Sequence, residues 1–250
     1  MDVKAYVRDV VRFASKAAES VARATTEQKN AVLEAMACNL LEASKELKDR
    51  NALDLEAGKK AGLSAAMLDR LELNDRRIAE MAAAIRAVAA LRDPVGDVIA
   101  GWTARNGLRI RKVRVPIGVI AVIYESRPNV TADAACLCLK SGNALILRGG
   151  KEALQSNIAI QRQLARALEG SKIDPKAIQI IETPDRAAVT ELLTAEGYVD
   201  LVIPRGGKSL IRTVVETATV PVIKHYEGIC HTFVDAGCDL EMAVRICENA

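Results

Sequence analysis

Residues 116–153 read PIGVIAVIYESRPNVTADAACLCLKSGNALILRGGKEA, and their pattern decides the fold. The runs at 118–125 and 143–148 are apolar at consecutive rather than alternate positions, so each strand expects cover on both faces. Between them, residues 130–141 carry helical spacing. Strand, helix and doubly buried strand make a unit that needs a parallel sheet with helices on both sides.

The alternation continues toward the C-terminus. Short, mostly apolar runs at 178–182, 199–204, 220–224 and 230–235 read as strands, and 151–168 and 184–195 carry helical patterns. The expected class is α/β, a doubly wound, mostly parallel sheet, in which ligands sit at the carboxyl ends of the strands. Toward the N-terminus, residues 3–24, 25–47 and 74–93 read as amphipathic helices. Thr25 and Gln28 form a capping-box pattern, and Asn74 is an N-cap before Pro94 ends the third helix. They form a helical layer that needs a sheet to cover. Between these halves, 97–116 reads as two extended runs around Asn106-Gly107, the dipeptide suited to a two-residue hairpin turn. Its second run, LRIRKVRV, is apolar on one face and basic on the other, as a solvated strand face or as a functional basic patch. Such a ribbon is marginal alone and is expected to project from the body and lean on another subunit. Three segments result: helices at 1–96, a hairpin arm at 97–116 and a Rossmann-like domain at 117–250.

Composition narrows the function. Half the residues are apolar and only seven are aromatic, which suits close helix-on-sheet layers. A net charge of +3 is spread along the chain, so neither nucleic acid nor a membrane is an expected partner. No run approaches the roughly 18 apolar residues of a membrane span, and none of the six cysteines forms a CxxC pair. A cytoplasmic, reduced protein is expected. With two histidines and no Cys/His cluster at ligand spacing, no metal site is expected.

The tetrapeptide RGGK occurs at 148–151 and again at 205–208, each time where an apolar run ends and a helical pattern begins. Glycines there let the backbone approach a ligand, and the next helix offers unpaired amides and a positive dipole end to a phosphate. Neither copy is a GxGxxG or Walker motif, so the glycines serve either a ligand or only the turn. Charge says more. A sheet that binds NAD commonly ends its second strand in an acid facing the ribose, whereas a basic residue accommodates a 2′-phosphate. With Arg148 at that position and Lys151 beyond it, NADP(H) is the expected dinucleotide.

The stretch 116–153 resembles the aldehyde dehydrogenase superfamily. Its cofactor domain runs as a Pro-x-Gly-Val strand, a loop near the reacting carbon, a helix, and a Gly-Asn turn into a strand ending in a basic residue. Within it, YESRPNVTADA (124–134), LRGGKEA (147–153) and KHYEGICHTFVD (224–235) are similar to the branch that reduces glutamyl phosphate in proline biosynthesis. The resemblance runs to Ala250. It implies an NADP(H)-dependent oxidoreductase, homo-oligomeric, acting on glutamyl phosphate and associated with glutamate 5-kinase. Arg148, Gly149 and Lys151 would lie by the adenosine ribose and its phosphate. Gly206, Gly207, Lys208 and Ser209 would face the pyrophosphate or the nicotinamide half. Ser126, Arg127 and Asn129 would border the active centre, Arg127 either pairing with a substrate carboxylate or phosphate or anchoring its loop.

Two departures from the superfamily stand out. Hydrolytic members keep a glutamate near HYEGIC to activate water, and Glu227 lies there, but reduction of an acyl phosphate needs no thioester hydrolysis. The nucleophilic cysteine is expected after the helix that follows FVDAGCDLEMAV, beyond Ala250, and Cys247 does not match it. The chain is therefore expected to be either an N-terminal part or a remnant that binds without reacting. A non-catalytic nucleotide-binding or assembly module and another acylating aldehyde dehydrogenase remain the alternatives.

Overall fold

The structure, a computed structural model, describes residues 2–125, 127–224 and 231–249. Its centre is a four-stranded parallel sheet of β3 (Val119–Tyr124), β4 (Ala144–Arg148), β5 (Ile178–Ile180) and β6 (Leu201–Arg205), in spatial order β5-β4-β3-β6. Helices α6 (Asn129–Lys140), α7 (Leu154–Arg166) and α8 (Ala187–Leu193) connect these strands in turn. Every residue of β3 is buried, as its unbroken apolar run requires. It pairs with β4 on one side (Val119 opposite Ala144) and with β6 on the other (Ile120 opposite Leu201). The strand order therefore reverses between β3 and β6, the place at which open sheets of this kind bind ligands at the carboxyl ends of their strands.

Two expected strands do not form. Residues 220–224 give only one parallel bridge, Val222 to Val202, because the Thr219 and Val220 amides turn back to the Leu193 carbonyl. Of the strand expected at 230–235, Cys230 lies outside the described residues, and 231–235 are exposed and irregular; apolar content alone supplies no neighbouring strand. Beyond β6, α9 (Lys208–Thr217) packs on that strand and on α8. Helix α10 (Leu240–Asn249) buries no residue.

The N-terminal helices divide. Helix α1 (Val3–Ala22) lies on the sheet beside α8, whereas α2 (Thr26–Glu42), α3 (Ser44–Lys60) and α5 (Asp75–Ala90) pack on α6 and α7. The crossover helices already cover that face, so only α1 meets the sheet. The run 25–47 breaks at Ala43, with the expected capping box intact at Thr25. The short α4 (Ala65–Leu71) has too few residues to declare a period.

The arm consists of β1 (Val98–Thr103) and β2 (Arg109–Val113), an antiparallel pair separate from the main sheet. Its turn is longer than expected. Ala104 donates to the Leu108 carbonyl at 2.8 Å, and Gly107 (φ 85°) donates to that of Ala104 at 2.9 Å. This is a three-residue loop with glycine in the left-handed position, not a two-residue turn. Neither face is buried, Ile110 alone being half-buried.

At the amino ends of the strands the backbone is tied down. Asn143 Oδ1 accepts from Ile117 and Gly118 (2.6 and 2.9 Å), and Asp200 Oδ2 accepts from Val119 (2.8 Å). Gly118 sits at φ 127°, where a Cβ would run into the Asp200 carboxylate.

Candidate active-centre and cofactor cleft

The two RGGK turns fall, as expected, at carboxyl ends of parallel strands, yet they are built differently. In the second copy, Gly206 through Ser209 are exposed. The β3 end comes alongside: Glu125 N donates to the Arg205 carbonyl at 3.2 Å, and Glu125 Oε2 accepts from Gly207 N at 2.9 Å. A Cβ on Gly206 would lie 2.6 Å from Glu125 Oε2 and 2.7 Å from Leu210. Gly207 is open, with nothing nearer than that carboxylate at 3.9 Å. The backbone at Gly207 is ordinary (φ −68°), so these glycines provide room and access, not a left-handed conformation. Helix α9 begins at this turn without a side-chain cap on Gly207.

In the first copy Gly149 and Gly150 are buried. A Cβ on Gly149 would strike Asn157 Nδ2 and approach the Tyr124 ring to 3.2 Å, and one on Gly150 would strike the Glu152 carboxylate. Behind Gly149 runs a buried chain in which the Tyr124 hydroxyl meets Thr131 Oγ1 (2.7 Å) and Thr131 donates to Asn157 Oδ1 (3.2 Å). Some of the amides at the start of the following helix are already taken. A 3₁₀ turn at Lys151–Ala153 precedes α7, whose Gln155 and Ser156 amides bond to Asp54 of α3 (3.2 and 2.8 Å), with Ser156 Oγ adding 2.6 Å. Asn51 joins them, donating to Ser156 Oγ at 3.0 Å. Burial raises the Asp54 pKa against these hydrogen bonds, yet its place as the cap of α7 is structural.

What the first turn does present is side chains. Arg148 Nη1 donates to the Gly149 carbonyl (2.8 Å) and Nη2 to that of Pro184 (3.1 Å), while its Nε has no partner among the described residues. Burial lowers its pKa; Glu152 opposes that and Arg186 adds to it. Lys151 is exposed. The end of β4 is thus basic, with Arg148 already braced by the backbone.

The β3–α6 loop carries the expected active-centre residues. Arg127 is exposed; Asn129 opens α6 and donates to Asp133 Oδ2 at 3.0 Å. Burial raises the Asp133 pKa, partly offset by Asn129 and by the Arg205 charge. A cavity of about 420 Å³ lies between this loop and helices α4 and α5. Ser126 and Glu227 lie outside the described residues. Cys136 and Cys138 are buried in α6, their thiols pushed up to about 12 by burial, which keeps them protonated and inert. Cys38 is half-buried beside Glu34 and Arg86; Cys238 and Cys247 are exposed.

Sequence reasoning missed Glu125 and Asp54. An acid at a strand end beside a glycine turn was a usable signal for Glu125, whereas a mid-helix aspartate carries none.

The sequence profile of the aldehyde dehydrogenase family matches residues 2–250. The gamma-glutamyl phosphate reductase of Geobacter metallireducens is 52% identical over 250 residues, covering 100% of this chain and 60% of that protein. The crystal structure of the gamma-glutamyl phosphate reductase of Thermotoga maritima superposes with TM-score 0.90 at 44% identity, over 97% of this chain and 59% of that one. A glyceraldehyde-3-phosphate dehydrogenase of Methanocaldococcus jannaschii, solved in complex with NADP, has the same fold: TM-score 0.68 at 15% identity, over 88% of this chain and 45% of that one. The chain spans about 60% of the length of the curated relatives it matches.

Proposed function

Because this chain belongs to the aldehyde dehydrogenase family, we propose that it is the NADP(H)-binding portion of a gamma-glutamyl phosphate reductase, which reduces L-glutamate 5-phosphate to glutamate-5-semialdehyde and releases phosphate. The observation that carries the reading is 52% identity to such a reductase along all 250 residues. That extent goes well beyond a shared fold.

The residues present suit a dinucleotide across the carboxyl ends of β3 and β6. Half-buried Arg148 and exposed Lys151 put positive charge where a 2′-phosphate would lie. Gly149 contributes shape by admitting Asn157 beneath the turn. The open side of Gly207, with Gly206, Lys208 and Ser209, lets backbone and helix terminus approach the pyrophosphate or the nicotinamide half. Bound NADPH supplies the hydride. This chain's own contribution is to hold and orient it, with Ser126, Arg127 and Asn129 bordering the reacting carbon. An incoming phosphate must displace Glu125 from the Gly207 amide, since both compete for one donor. The exposed arm is proposed as a surface for self-association.

Titration of the purified chain with NADPH and NADH tests the reading. NADPH is expected to bind tighter by about tenfold or more, the worth of one charge-assisted contact. Equal affinities would remove the NADP assignment, and binding of neither would sink the proposal.

A further inference from the structure

The cavity of about 420 Å³ beside the β3–α6 loop is lined by charged side chains from three separate elements. Most are already committed. Arg77 donates to the Glu72 carbonyl at 2.9 Å, to Asp69 Oδ1 at 3.0 Å and to the Asp69 carbonyl, closing the end of α4. Glu80 pairs with Arg76 at 3.6 Å, and Glu72 accepts from Asn74 at 3.4 Å. Three groups are left. Among the described residues, the side chains of Arg70 of α4 and Arg127 of the loop have no hydrogen bond or ion pair, and the Asp133 carboxylate uses only Oδ2, toward Asn129.

Two uncompensated guanidinium groups and a half-buried carboxylate on one small cavity are complementary to a zwitterion. A bidentate carboxylate satisfies arginine geometry, and an ammonium satisfies the second oxygen of Asp133 while relieving its partly desolvated charge. We propose that this cavity holds the amino-acid head group of the substrate, Arg70 and Arg127 taking its α-carboxylate and Asp133 its α-ammonium. The inference rests on the reading of the chain as part of a glutamyl-phosphate-reducing enzyme and deepens it. The head group is fixed on α4 and α6, and the side-chain carbonyl reaches toward the carboxyl ends of the strands, where Arg205 already feels the Asp133 charge. Acyl phosphates or aldehydes without an α-amino-acid head then lose this anchorage and with it their orientation. Arg70 and Arg127 are thereby specificity-determining residues.

The test uses L-glutamate as probe, titrated into the purified chain by calorimetry, with glutarate, which lacks the ammonium, as its control. Glutamate is expected to bind in the millimolar range and more tightly than glutarate. Arg70→Met and Arg127→Met should each weaken it about ten- to hundredfold, and Asp133→Asn should abolish the preference over glutarate. Both arginines are exposed, so a melting curve should be unchanged and separates lost binding from lost structure. Unaltered glutamate affinity in both arginine variants overturns the proposal, as does NADPH binding with no glutamate binding. Glutamate binding with these effects but no NADPH binding upholds the head-group cavity and removes the cofactor reading instead.

Discussion

Arg148 braces two backbone carbonyls and keeps one nitrogen unpartnered. Its replacement therefore has two separable effects. Arg148→Ala should weaken NADPH by about 1.5 to 3 kcal/mol and NADH far less, because only NADPH carries the phosphate. It should also loosen the backbone at Pro184, read as a lowered melting temperature without ligand. Equal losses for both cofactors would mean that Arg148 acts through the loop alone. The glycines of the second copy divide in the same way. Gly207 has open space and an ordinary φ, so Gly207→Ala should change stability by no more than about 0.5 kcal/mol while weakening both cofactors alike. Gly206→Val instead collides with Glu125 and Leu210 and should destabilise. If Gly207→Ala leaves both cofactor affinities intact, the backbone there does not approach the dinucleotide.

Among the elements, helix α7 depends on a cap lent from α3. Asp54→Ala strips acceptors from two amides and a hydroxyl and should cost about 2 kcal/mol. Amide exchange at Gln155 and Ser156 should rise first, and uniform exchange across α7 would argue against a capping role. A second tie joins α2 to the segment before the arm. Lys29, 1% exposed, donates to Asp93 Oδ2 at 2.9 Å and Oδ1 at 3.2 Å. Burial pushes the Asp93 carboxyl up, but hydrogen bonds from Lys29, Val95 and Thr26 and the Lys29 charge outweigh it, and its pKa lies below the ordinary value. A depressed carboxylate stabilises the fold above its unfolded pKa of about 3.9 and loses that contribution as pH falls through the folded value. Urea melts at pH 6 and pH 3 should therefore show a larger acid-side loss in the native chain than in Asp93→Asn. Equal losses would contradict the tie.

At the scale of the molecule, the arm stands apart. Replacing residues 98–113 by a short glycine-serine linker should shift the melting temperature by no more than about 2 °C and lower the assembled mass in sedimentation if the arm serves self-association. A large thermal loss would show that it supports the body. The doubly buried runs of β3 and β4 were legible because an unbroken apolar strand has only one environment in which it is stable. The runs at 220–224 and 231–235 misled for a related reason: pairing requires a neighbour that composition does not reveal. The basic side chains and glycines at both strand ends were legible through their positions, whereas Asp54, Glu125 and Arg70 gain meaning only when distant segments meet. That distance has a consequence during synthesis. Asp54 waits 102 residues for Ser156, roughly 5 to 20 s at ordinary rates of chain elongation. For that interval the face of α3 that carries Leu47, fully buried in the finished fold, has left the ribosome before α7, on which α3 packs, exists to receive it. A nascent chain that stops short of α7 therefore carries α3 with its packing face uncovered.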